Sequence, residues 1–328
     1  MSRPPHAVSG SFAPPAPARE LTVTSADGAG LHVEVHGPAD APAVVLAHGW
    51  TCSIAFWAPV VRALAADHRV VLYDQRGHGR SPASDLSAYG TRVLADDLAA
   101  VLDQTLLPGE RAVLAAHSMG AMAIVAAAGR PQLQEHAAAA LLCSTGITEL
   151  VPEARLLPLG PKRLQAAFGR FFLRTRAPMG PVTPISRSLL KYGTMGRTAS
   201  PAAADACARI VQSCPGRVRA AWGRVLETLD LESELAQLTV PTAVIVGTRD
   251  RLTPRRHSRA LAAGLPRGLG LTELDGFGHM TPMEAPDTVT SAIRGLVGEH
   301  LTDRPPLTLV DSGKDTGGEN RENEERTA

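Results

Sequence analysis

Leu114-Ala115-Ala116-His117-Ser118-Met119-Gly120-Ala121-Met122-Ala123-Ile124-Val125 is the stretch on which the reading of this chain turns. An apolar run through Ala116 breaks at His117-Ser118-Met119-Gly120 and resumes as a small-residue helical pattern. That order reads as a buried strand, a tight turn carrying a serine, and a helix packed close behind. A serine at such a turn has its hydroxyl pushed into solvent, while the backbone N–H groups after it face whatever the hydroxyl attacks. The turn has the form G-x-S-x-G with Ala116 at the first glycine. Strand–helix packing alone also places small residues around a serine, so the rest of the chain must supply its chemical partners.

Working outward, Leu21–Ser25 and Leu31–His36 read as strands about the hairpin dipeptide Asp27-Gly28. Ala43–Ala47 is a buried strand ending at His48-Gly49-Trp50, and a helix follows over about Ala55–Ala66. Arg69–Tyr73 is the next strand, followed by the turn-rich loop Asp74-Gln75-Arg76-Gly77-His78-Gly79-Arg80-Ser81-Pro82. Arg92–Leu106 has helical periodicity and stops before Pro108-Gly109. The helix after Ser118 ends near Gly129-Arg130-Pro131, and Ala138–Cys143 is another buried strand. Strand–helix alternation then stops over residues 149–238, which carry several helical patterns with many Pro and Gly. It resumes with a strand at Val240–Val246, a helix over Pro254–Ala263, a strand at Leu269–Leu274 and a helix over Pro286–His300.

This rhythm predicts an α/β architecture, a mostly parallel, doubly wound sheet of about eight strands, in two core parts at 20–148 and 239–302. Residues 149–238 form a helical insertion between them, and the Pro-rich 1–19 and the acidic 303–328 read as disordered tails. Doubly wound sheets place their chemistry at the carboxyl ends of the strands. His48, Asp74, Ser118, Asp250 and His279 all fall just past such ends.

At 328 residues, with 44% hydrophobic and 20% charged residues, the chain has globular composition. Its net charge of +1 conceals a segregation. Thirteen Lys/Arg and a single acid, Asp205, lie between Arg155 and Arg224, which leaves twenty basic and thirty-one acidic residues elsewhere. Such segregation can steer anionic substrates or attach a protein to an anionic surface, and a solvated helical face gives the same pattern. Cys52, Cys143, Cys207 and Cys214 have no metal-ligand spacing, so neither a metal nor another cofactor is expected. No apolar stretch reaches the ~20 residues of a membrane span, and no secretory h-region is present. A cytoplasmic protein with reduced thiols and no nucleic-acid partner is expected.

A serine hydroxyl needs an adjacent base, normally histidine, held in its tautomer by a carboxylate. The chain order Ser118, Asp250, His279 is the order that an α/β-hydrolase sheet produces. With His48-Gly49-Trp50, Asp74-Gln75-Arg76-Gly77-His78-Gly79-Arg80-Ser81, His117-Ser118-Met119-Gly120, Gly247-Thr248-Arg249-Asp250 and Gly276-Phe277-Gly278-His279, the chain resembles serine hydrolases of the α/β-hydrolase fold family. The matching pieces span roughly Leu21–His300, and Ala116 is the one departure at the serine turn.

The resemblance implies Ser118 as nucleophile, His279 as general base and acid, and Asp250 as its orienting carboxylate. Two N–H donors must meet the developing oxyanion. One is Met119, at the start of the following helix, and the resemblance places the other at Trp50. It also implies a helical cap at 149–238 and an ester or thioester substrate. A serine rather than an aspartate at this turn disfavours the alkyl-enzyme chemistry of related epoxide hydrolases and haloalkane dehalogenases. Cofactor-free perhydrolases share the same triad, and a catalytically silent binding protein could share the same fold. The basic insertion favours lipid-like or anionic acyl substrates, and peripheral membrane contact through it is the companion expectation.

Among rival residues, His48 is expected to shape the oxyanion loop, and His78 and Asp74 to be structural. His117 is expected to point away from the last loop, and Phe56 and Trp57 to be helix core. His257 is placed on a surface helix and His300 at a helix end.

Overall fold

The inner strands are apolar along nearly their whole length because both of their faces are covered, whereas the edge strands carry polar and exposed residues. In the computed structural model, which describes residues 8, 10–155 and 161–301, together they build one eight-stranded sheet. The strands are β1 (Arg19–Thr24), β2 (Gly30–His36), β3 (Ala43–Ala47), β4 (Arg69–Tyr73), β5 (Ala112–His117), β6 (Ala137–Cys143), β7 (Thr242–Gly247) and β8 (Gly268–Leu274). Their order is β1-β2-β4-β3-β5-β6-β7-β8. The β1–β2 and β2–β4 pairings are antiparallel, and all others are parallel.

The helices are α1 (Ala58–Leu64), α2 (Thr91–Thr105), α3 (Met119–Ala126), α4 (Pro131–His136), α5 (Leu150–Glu153), α6 (Lys162–Arg174), α7 (Pro184–Thr194), α8 (Pro201–Ser213), α9 (Gly216–Glu227), α10 (Glu232–Leu235), α11 (Arg255–Gly264), α12 (Thr281–Glu284) and α13 (Pro286–His300). Strand alternation divides the core into two layers. Val45, Ala47, Val71, Tyr73, Leu114 and Ala116 face α2 and α3, while Val44, Leu46, Val70, Leu72, Val113 and Ala115 face α1 and α13. Each fully buried Val or Leu side chain contributes roughly 1.5–3 kcal/mol by leaving water.

Most element boundaries fall within a residue or two of the sequence reading; the helix after Ser118 stops earlier, at Ala126, and four further differences stand out. The segment expected to be helical over Ala55–Ala66 starts as a 3-10 turn, Ile54–Trp57, and becomes α-helical around Pro59, which has no N–H to continue the first turn. Two short helices, α4 and α12, each begin at or beside a proline where the sequence reading places no element. The fourth difference lies in 1–19. Residues 10–18 are not a loose tail, because Phe12 packs against the α1/α13 layer and Arg62 donates to the Ala13 carbonyl at 2.7 Å. Residues 1–7 and 9 of that segment, and 303–328, lie outside the described residues.

Helices α5–α10 fill the interval between β6 and β7. They are tied to loops at the carboxyl edge of the sheet by indole hydrogen bonds. Trp222 of α9 donates to the Arg76 carbonyl at 3.0 Å, and Trp50 donates to the Arg219 carbonyl at 3.0 Å. Among the described residues, no helix is long and apolar enough to cross a membrane.

Candidate active site

Ser118 stands alone between β5 and α3, with φ 51° and ψ −117°. A non-glycine residue held there costs about 1–3 kcal/mol, which the surroundings must offset. Ser118 N–H donates to the Cys143 carbonyl at 2.9 Å, and its own carbonyl accepts from Met122 N–H at 3.1 Å and Thr145 Oγ1 at 3.0 Å. The turn is also wedged against the end of β3. A methyl on Gly120 would lie 2.4 Å from the Ala47 carbonyl oxygen, and one on Gly49 would lie 2.6 Å from His117 Nδ1. Only glycine permits these approaches, and they bring the His48-Gly49-Trp50 loop against the serine.

The three residues picked from separate strand ends converge. Ser118 Oγ is 3.1 Å from His279 Nε2, and His279 Nδ1 is 2.8 Å from Asp250 Oδ2. Asp250 and His279 are buried, and Ser118 is 8% exposed. With the proton on Nδ1 donated to Asp250, Nε2 is free to accept from the serine hydroxyl. The Asp250 carboxylate is itself fixed, accepting from the N–H groups of Leu252 and Thr253 and from the Thr253 hydroxyl, each at 2.9 Å.

Met119 is the first residue of α3, so its N–H has no acceptor within the helix. Trp50 lies on the loop pressed against Ser118. That loop rests on two buried histidines. His48 Nε2 accepts from Gln75 N–H at 3.0 Å, and its Nδ1 lies 2.8 Å from the Gly49 carbonyl. His78 Nε2 accepts from Thr51 N–H at 3.1 Å, which steadies Thr51 at φ 62°. Burial lowers their pKa values, His48 to about 3 and His78 to about 4, so both are neutral at pH 7. Asp74 accepts from Ile54 N–H at 2.8 Å and Arg80 N–H at 2.9 Å, and burial raises it to about 6. His48, His78 and Asp74 are thus brackets for the loop.

His117 departs from expectation. Its ring does not turn away from the last loop but stands edge-on to the His279 ring, 4.8 Å between centroids, and its Nε2 donates to the His279 carbonyl at 2.9 Å. Phe56 covers the ring's other side at 4.5 Å, so this phenyl belongs to the site's support as well as to the core. His257, read as a surface residue, is half-buried, with its Cβ and Cγ against Gly146.

The positioning of His279 also rests on residues that the sequence did not single out. The N–H groups of His279 and Met280 donate to the Thr194 carbonyl at 2.8 and 3.2 Å. Glu284 accepts from Gly278 N–H at 3.1 Å, Met280 N–H at 3.1 Å and Gly196 N–H at 2.6 Å. The last loop is therefore clamped between α7 and α12. Among the described residues, no group of three His, Cys, Asp or Glu side chains is arranged to hold a metal ion.

The profile of the α/β-hydrolase fold matches residues 42–286. The chain belongs to the α/β-hydrolase fold family. A protein of Variovorax paradoxus that carries the name carbamate hydrolase RutD is 34% identical over 240 residues, 72% of this chain and 84% of that one. The bifunctional esterase/perhydrolase DCH of Acinetobacter calcoaceticus is 26% identical over 289 residues, 84% and 98% of the two chains. A solved thermophilic esterase from Thermogutta terrifontis superposes with a TM-score of 0.66 at 26% identity, over 86% of this α/β hydrolase and all of the esterase.

Proposed function

We propose that this α/β hydrolase cleaves carboxylic esters or thioesters through an acyl-enzyme on Ser118. The observation that carries the reading is the continuous chain from Ser118 Oγ through both ring nitrogens of His279 to Asp250, set on a strained strand-to-helix turn. Ser118 Oγ attacks the carbonyl carbon as its proton passes to His279 Nε2. The tetrahedral oxyanion is received by the N–H groups of Met119 and Trp50, and losing one such donor costs about 10²–10³ in rate. Collapse expels the alcohol or thiol, which takes the proton from His279. Water then loses a proton to His279, attacks the acyl carbon and frees Ser118. Asp250 stabilises the imidazolium at both stages. Helices α5–α10 serve as the cap, joined to the oxyanion loop at Trp50.

A second reading, carbamate cleavage, is favoured by the name of the Variovorax relative, and a carbamate offers the same carbonyl to the same nucleophile. Perhydrolysis, suggested by the Acinetobacter relative, differs only in having peroxide take the place of water. The test is labelling with a fluorophosphonate, followed by a kcat/KM series on ester, thioester and carbamate substrates. Labelling of the intact protein and its loss in Ser118→Ala is expected. An intact protein that resists the reagent overturns the acyl-enzyme and leaves a binding protein of this fold. A carbamate turned over faster than every ester and thioester moves the assignment to the second reading.

A further inference from the structure

Amphipathic helices on a globular protein normally turn their apolar stripe inward. Two helices between β6 and β7 leave large apolar side chains outside. On α6, Leu164, Phe168 and Phe171 follow one another at helical spacing and are 52%, 39% and 66% exposed. On α7, Ile185 and Leu189, four residues apart, are 74% and 67% exposed. These five make up most of the exposed large hydrophobic residues among the described residues.

The charge around them is predominantly positive. Exposed Arg163, Arg170 and Arg174 lie on α6 beside its apolar stripe, and α6 and α7 contain no acidic residue. The carboxylates facing this region are few. Glu227 pairs with Arg170 and Arg174, while Asp205 pairs with Arg187 and Arg209. Exposed Arg163, Arg176 and Arg197 enter no ion pair among the described residues. Apolar side chains flanked by an excess of cations over carboxylates match a surface of anionic headgroups over acyl chains. A protein partner matching the same face would have to supply both a hydrophobic groove and an excess of acid.

We propose that the outer faces of α6 and α7 dock this protein on an anionic phospholipid surface. The inner side of α6 reaches the candidate site, where the Phe172 ring stands edge-on to Trp50 at 5.7 Å. Docking would therefore set the cap against the phase that holds lipid-like acyl substrates. In that respect the inference deepens the substrate class of the proposed reaction, although the docking itself does not need the serine chemistry.

The test is co-sedimentation of the full chain with vesicles of phosphatidylcholine alone or mixed with phosphatidylglycerol, at low and high salt. Binding to the mixed vesicles, weakened by salt, is expected. The double variant Leu164→Ser/Phe171→Ser should bind about tenfold more weakly or worse, as removal of two apolar anchors requires. Arg163→Ala should lose about fivefold on the mixed vesicles only. Circular dichroism and Tm verify that the variants remain folded. Equal binding to both vesicle types, or binding to neither, overturns the proposal. So does a dimer of the native chain that the double variant dissociates, because the stripe is then a self-association face. A large fall in Tm in the double variant also overturns it, since a stripe open to solvent has little packing to lose. Ser118→Ala is carried through the same assay, so failure of docking and failure of the acyl-enzyme are read separately.

Discussion

Ser118 holds a backbone conformation that glycine adopts without cost and other residues do not. Its function and its contribution to stability should therefore oppose one another. Ser118→Ala keeps the strain while removing the hydroxyl, whereas Ser118→Gly removes both. Glycine regains part of the ~1–3 kcal/mol of strain and returns ~0.5–1 kcal/mol to unfolded-chain entropy. The expected outcome is that Ser118→Gly exceeds Ser118→Ala by about 1 kcal/mol in urea denaturation, with both unlabelled by fluorophosphonate. Equal stabilities would mean that the turn relaxes at no cost. This residue was legible from sequence because its turn is a local pattern with a mechanical purpose. The contact of His117 with His279 was not, because it joins residues 162 positions apart and depends on how far the last loop reaches across the sheet. From one sequence, a histidine beside the serine looks the same whichever way its ring faces.

At the scale of elements, the carboxyl ends of β5, β7 and β8 were enough to bring Ser118, Asp250 and His279 to one edge. The sheet lies behind all three, and its alternation with helices is written in the periodicity of the chain. What holds the final few ångströms was not written locally. Glu284 lies on a helix of four residues with no signal of its own, yet it accepts from one N–H on the α7–α8 connection and two on the His279 loop. Burial raises its pKa despite those donors. In Glu284→Gln one oxygen becomes an NH2 group, which must face N–H groups that now lack an acceptor. Each buried donor left unpaired costs about 1–3 kcal/mol. A fall in stability of that size is expected, and under the proposed chemistry kcat should fall about tenfold with KM changed far less, because the clamp positions His279 rather than the substrate. A variant that loses stability but retains its full kcat would show that the His279 loop keeps its position without the clamp.

The molecule as a whole encloses more imidazole than it can keep neutral in acid. His48 and His78 are fully buried, with pKa values lowered to about 3 and about 4, and burial holds His117 well below its ordinary value. Once unfolded, all three would titrate near 6.5. Between that pH and their native values the unfolded chain binds protons that the native state refuses, so stability falls as pH falls. Asp74 acts in the opposite sense. Its native pKa of about 6 lies above the 3.8 of a free carboxyl, so the native state takes up its proton first and stability rises as pH drops through 6. Asp97 and Glu284, also raised by burial, act with Asp74, while His257, also lowered by burial, acts with the other imidazoles, so proton uptake by the unfolded chain still prevails in weak acid. Near pH 5 unfolding should therefore take up protons on balance, and each net proton steepens the loss by about 1.4 kcal/mol per pH unit. The expected outcome is a urea midpoint that is steady above about pH 7 and falls steeply below about 6.5. A midpoint unchanged from pH 7 to pH 5 would require either a charged imidazole tolerated beneath the Trp50 loop or a loop already open in the native state. The same titration bears on function, because His48 and His78 hold Gln75, Thr51 and hence the Trp50 loop as neutral acceptors. Protonating either Nε2 removes an acceptor from an N–H beneath that loop. Loss of kcat should therefore accompany the loss of stability rather than precede it.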